Sequence, residues 1–145
     1  MGTVAKRRQL AGWGGIGLVV ALMAACATTT GQLYVTEQSP PEVKKEVVTA
    51  RANARWQALL RGDLTAAYEY LSPGSKAAMS LDFYKGKHRT GMYRAATIES
   101  VECAANVCTV NMNVTYDFKT TKGIVTPLSE RWVISDGRAW YVERG

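Results

Sequence analysis

The chain has 145 residues, enough for one domain and too few for two, and its 47% apolar content excludes a wholly disordered protein. Its formal charge of +6 is concentrated at the start: Lys6, Arg7 and Arg8 precede an apolar run, and the remainder carries 15 basic against 12 acidic residues. Nucleic-acid binding is not expected, because clusters such as Lys44/Lys45 and Lys85/Lys87/Arg89 are separated by acids and apolar residues and form no single basic stripe.

Leu10 to Ala25 reads LAGWGGIGLVVALMAA, sixteen uncharged residues after a basic head, ending in small residues. That is the layout of a secretory signal peptide. A spanning helix usually needs about 20 apolar residues, and the four glycines of this run weaken a helix further. Gly12 to Gly17 (GWGGIG) follows no strand, so it is not read as a phosphate loop.

The segment Leu22-Met23-Ala24-Ala25-Cys26 resembles the lipobox of bacterial lipoproteins, with Met23 where Leu is usual. The resemblance implies cleavage before Cys26 and acylation of that cysteine, which would attach the protein to a membrane. Residues 1–25 are then a removed signal peptide, 26–39 a flexible Thr-rich tether and 40–145 the folded domain. An uncleaved anchor, or a soluble secreted protein with a free thiol, are the other readings. Ala27 instead of Asp after the cysteine implies sorting to the outer membrane of a Gram-negative envelope, with the domain facing the periplasm.

With Cys26 set aside for lipid, Cys103 and Cys108 remain, in CAANVC. Flanking a hairpin turn they would be cross-strand neighbours within reach of a disulfide, as suits an oxidising compartment. A metal site needs more ligands than two cysteines and a lone histidine give, and a redox pair usually has two residues between its cysteines. No metal site and no cofactor are therefore expected.

Ser39-Pro40-Pro41-Glu42 reads as a capping box that starts a helix. Val43, Val47, Ala50, Ala54 and Leu59, flanked by Val48, Ala52 and Trp56, recur at helical spacing up to Arg61-Gly62. Asp63 caps a shorter helix that turns Leu64, Ala67, Tyr68 and Leu71 inward and stops at Ser72-Pro73-Gly74. Ser75 caps a third, carrying Ala78, Met79 and Phe83, before a loop over Gly86 to Thr90.

From Met92 the period becomes two. In Val107 to Phe118 the residues Cys108, Val110, Met112, Val114, Tyr116 and Phe118 alternate without exception with polar ones, which predicts a strand with one face on a core. Ala95 to Cys103, Ile124 to Ile134 and Arg138 to Glu143 complete an antiparallel meander of four strands. For the last hairpin, a two-residue Asp136-Gly137 turn would pair Trp132 with Tyr141 and oppose Glu130 to Glu143. A three-residue turn beginning at Ser135 pairs Trp132 with Trp140 and avoids the like-charge contact, so it is the expected register.

The fold class is thus α+β, with N-terminal helices packed on a curved antiparallel four-stranded sheet. ARWQALLRGDLTAAYEYLSP (Ala54 to Pro73) followed by LSERWVISDGRAWYV (Leu128 to Val142) resembles the nuclear transport factor 2-like fold, the cone-shaped fold of SnoaL-like proteins and ketosteroid isomerases. The resemblance is in particular to small bacterial envelope lipoproteins of that type. One departure is the lack of a strand between the second and third helices, where fuller members have one.

The resemblance implies an apolar cone, and in its enzymes an acid or base within it. Glu130 shares a face with Leu128, Trp132 and Ile134 and is the candidate for that position. The simpler reading makes it a partner for Arg51 or Arg55 on the first helix. Trp56, Tyr68, Tyr70, Trp132, Trp140 and Tyr141 either line a pocket or fill the core. Asp63 reads as a helix cap and His88 as a solvated loop residue, and no catalytic triad or nucleophile elbow is found. The function expected is non-catalytic: binding an apolar small ligand or an envelope protein partner. The alternative is an isomerase or hydratase working through Glu130.

Overall fold

The computed structural model describes residues 34–143. Four helices, α1 (Pro41–Leu60), α2 (Leu64–Tyr68), α3 (Pro73–Ala78) and α4 (Leu81–Lys87), precede four strands: β1 (Tyr93–Ala104), β2 (Val107–Phe118), β3 (Thr121–Ser135) and β4 (Arg138–Val142). The strands form one antiparallel sheet in the order β1-β2-β3-β4, the expected meander. Cys26 and the signal and lipidation segments lie outside the described residues, and no helix among those described is long and apolar enough to cross a membrane.

Helix α1 lies on the sheet with Val47, Val48, Ala52, Trp56, Ala58 and Leu59 inward. Two charged residues, Lys44 and Arg55, share that buried stripe, while Val43 and Ala50, expected inside, are exposed. The helix starts without its predicted capping box. Pro40 occupies the cap position with no side-chain bond, and the Ser39 hydroxyl instead accepts the Thr36 N–H at 3.0 Å. Residues 34–39, expected in the flexible tether, are held by Val35, which is fully buried and donates its N–H to the Gly137 carbonyl at 3.2 Å.

Asp63 caps α2 as read, accepting the Ala66 N–H at 3.0 Å. The third predicted helix is two helices. Ser72 caps α3 with Pro73 at its first position, the chain turns extended at Met79, and Ser80 caps α4. Each serine accepts an amide of its own first turn, at 3.1 and 3.2 Å, so two local caps displace the one assigned to Ser75. Helix α4 absorbs Gly86 and Lys87, and it buries Tyr84 and leaves Phe83 exposed.

On the sheet, Cys108, Val110, Met112 and Val114 of β2 and Glu130, Trp132 and Ile134 of β3 face the helices, as the alternation required. Bulges in β1 at Tyr93/Ala95 and Ile98/Ser100, and between β2 and β3 at Tyr116/Phe118, bend the strands. Leu71 pairs as a single parallel bridge with Tyr141. Tyr141 donates its N–H to Tyr70 and accepts from the Ser72 N–H, each at 2.8 Å, so this short segment protects the β4 edge.

The last hairpin takes the other register. Trp132 pairs with Tyr141 and Val133 with Trp140 across a two-residue turn in which Asp136 (φ 50°) and Gly137 (φ 74°) are both left-handed. An Asp-Gly turn of that hand matches the twist of the flanking strands. The like charges that argued against this register are met by Arg55 on Glu130 and by Lys87 on Glu143.

Candidate functional site

The inward face carries two different environments. Under the C-terminal half of α1 lies a buried charge network. Glu130 is 3% exposed, and three donors fill its oxygens: Arg55 Nη1 at 2.7 Å and Trp56 Nε1 at 2.9 Å on Oε1, and Trp132 Nε1 at 3.1 Å on Oε2. Arg55, 2% exposed, also approaches Glu143 Oε2 through Nη2 at 3.7 Å, and its guanidinium carbon lies 3.7 Å from the centroid of the Tyr141 ring. Lys87 Nζ reaches Glu143 Oε1 at 3.0 Å, and His88 Nε2 stands 4.0 Å from Oε2.

Burial opposes the Arg55 charge, but the neighbouring Glu130, together with Tyr141, Tyr84 and Glu143, outweighs it and holds its pKa above the ordinary value. Burial also pushes the Tyr141 hydroxyl well up. His88 is half-buried against the Tyr84 ring, 4.3 Å between centroids, and desolvation lowers its pKa despite Glu143. It belongs to this network and is not the solvated loop residue expected.

Glu130 therefore holds Arg55 and two indoles in place, and it is not among the residues that line the groove described next. Trp132 is fully buried beside it. Tyr68 donates to the Met79 carbonyl at 2.7 Å and meets the Tyr84 ring edge to face at 5.4 Å. Trp140 donates to the Ser135 carbonyl at 3.2 Å and borders a separate depression with Arg51 and Tyr70. Of Glu130 and the six aromatic residues considered for a pocket, only Trp56 lines the apolar groove described next.

Among the described residues the inward face opens beside Trp56 into a groove of about 450 Å³. The β2 alternation continues into it through Val114, Tyr116 and Phe118, and Thr126 and Leu128 of β3 face them. Met92 and Tyr93 close one side, and Tyr93 meets Trp56 edge to face at 5.3 Å. The lining residues are uncharged and mostly aromatic or aliphatic, with Phe118 48% and Leu128 39% exposed. The unbroken β2 alternation in the sequence marks this face as apolar as far as Phe118, without showing which part of it is covered.

At the opposite end, Cys103 and Cys108 are register partners bonded as a disulfide, with Cα atoms 4.0 Å apart. They flank the β1–β2 turn, where Ala105 takes φ 51°. The Lys44 ammonium donates to the Ala105 carbonyl at 2.7 Å and to that of Glu37 at 2.5 Å, which accounts for a lysine on the buried stripe. Among the described residues no group of three or more His, Cys, Asp or Glu side chains is placed to hold a metal ion.

Neither a protein-family profile nor a curated protein matches the chain. Among solved structures it is similar to a SEC-C motif containing protein from Rhodopseudomonas palustris. That likeness has a TM-score of 0.55 and 12% identity, covering 65% of this chain and 73% of that one. A protein from Kribbella flavida is also similar, at a TM-score of 0.42 and 15% identity over 64% of this chain and 81% of that one. At this identity the first likeness speaks to the α+β fold alone.

Proposed function

We propose that this chain is a bacterial envelope lipoprotein, anchored through Cys26, whose nuclear transport factor 2-like domain binds an apolar ligand in the open groove without catalysing a reaction. The observation that carries the binding role is the groove itself: concave, uncharged and aromatic, with side chains left partly exposed that ordinarily would be covered. The absence of a carboxylate from its lining favours binding over acid or base chemistry there. Glu130, the one residue put forward for such chemistry, stands behind Trp56 with both oxygens engaged.

The anchoring half of the proposal rests on the basic head, the sixteen-residue apolar run and the lipobox-like LMAAC. Two or more acyl chains on Cys26 would hold the domain stably at the membrane where one is marginal. The helices preceding a curved meander support the nuclear transport factor 2-like assignment, together with the Gly62-Asp63 and Glu130-Arg131-Trp132 signatures.

Binding is tested with the neutral fluorescent probe N-phenyl-1-naphthylamine. Saturable enhancement by the full chain, abolished in Leu128→Asp, is expected, whereas enhancement indifferent to that substitution would refute the groove as the site. Anchoring is tested by intact mass after expression in a Gram-negative host. Loss of residues 1–25 with acyl mass on Cys26 is expected, and a retained Met1 or an unmodified Cys26 refutes it.

A further inference from the structure

The apolar groove does not end in neutral surface. Met92 and Phe118 belong at once to its lining and to a second depression, whose other walls carry Arg89, Arg94, Lys119 and Lys122 against the single carboxylate of Asp117. That carboxylate is saturated. Arg94 donates to its Oδ2 through Nε and Nη2 at 2.8 and 2.6 Å, Lys122 stands 3.4 Å away, and the Gly123 N–H donates to Oδ1 at 3.0 Å. Arg89 and Lys119 are left over: both are exposed, and the Lys119 ammonium sits 5.3 Å from the Phe118 ring centroid at the groove mouth.

We infer that the groove takes a monomeric single-chain amphiphile with an anionic head, a long-chain carboxylate being the simplest, whose tail lies along Trp56, Leu128 and Phe118 while Arg89 and Lys119 receive the head. The inference rests on the proposed ligand-binding reading of the groove and adds the chemistry of the ligand. Charge complementarity selects this occupant. A wholly apolar ligand would leave a surplus of positive charge beside its end unused, and a free inorganic anion would leave the aromatic wall uncovered.

The test uses the full chain and dibrominated stearic acid, whose bromines quench tryptophan, compared with its neutral methyl ester. Trp56 in the groove wall is the reporter. The acid is expected to quench with an affinity about ten-fold tighter than the ester, the gain of one or two partly exposed charge pairs. In the double variant Arg89→Glu/Lys119→Glu that preference should vanish with the ester unaffected. Both positions are exposed, so the fold is retained. Equal affinity for acid and ester in the unaltered chain would overturn the anionic-head assignment and leave the groove reading standing. Quenching by neither probe would remove both. Quenching that appears only when the acid is presented in phosphatidylglycerol vesicles would assign the surface to a membrane and overturn the inference of a monomeric ligand.

Discussion

The inward face of the sheet is one continuous apolar alternation that ends in two opposite states. Toward the disulfide, Cys108, Val110 and Met112 are at most 2% exposed under α1, whereas toward the other end Phe118, on the same face of the same strand, is 48% exposed. The pattern decides which face of a strand is apolar, and it is silent on where the covering helix stops. Inside that border, with Glu130 paired to Val110, the protein places Arg55, Glu130 and Glu143, so a buried charge network lies behind the groove. Replacing Arg55 by Met would leave Glu130 buried without its cation, while Glu143 would keep Lys87. The expected loss is about 3–5 kcal/mol, read by urea denaturation, because a buried charge stripped of its partner keeps its full desolvation cost. An unchanged midpoint would show that the network does not close the covered end.

This border was only partly legible in the sequence. The helix-then-meander order, the even-numbered inward residues of β2 and β3, the Asp63 cap and the Cys103/Cys108 pairing all follow from local signals, because period, capping and turn spacing act over a few residues. The register of the last hairpin did not follow. Its like-charge objection was sound as a pairwise argument, but Arg55 lies about 75 positions from Glu130 in the chain, and a contact at that separation leaves no local trace. The same cause misplaced the pocket. Trp132, Tyr68 and Trp140 have the right chemistry for a lining, and only the position of α1 assigns two of them to packing and Trp140 to another depression.

The disulfide sharpens the contrast at the covered end. Cys103→Ser/Cys108→Ser should cost about 2 kcal/mol, as expected for so small a ring, with the groove's probe affinity unchanged. A loss of binding equal to the loss of stability would mean that the two ends unfold as one cooperative unit. A smaller effect depends on pH. His88 titrates near 6.5 when unfolded, and burial lowers its pKa in the fold. Between those two values the unfolded chain binds more protons, so stability falls as pH drops below about 6.5. His88→Gln should flatten that part of the curve, and a slope unaltered by the substitution would remove His88 from the network's account.

The smallest effect on stability is expected at the open end. Phe118→Ser removes an aromatic side chain that is nearly half exposed, next to the Lys119-Thr120 turn. A residue that packs against solvent on one side gives up little on truncation, so the unfolding free energy read by urea should fall by no more than about 0.5 kcal/mol. Probe binding should nonetheless fall, because the same ring forms the groove mouth. If stability instead drops as steeply as for Arg55→Met, Phe118 is core and the groove is a crevice in it. If neither quantity moves, the ring is ordinary surface, and the open end of the face ends at Tyr116.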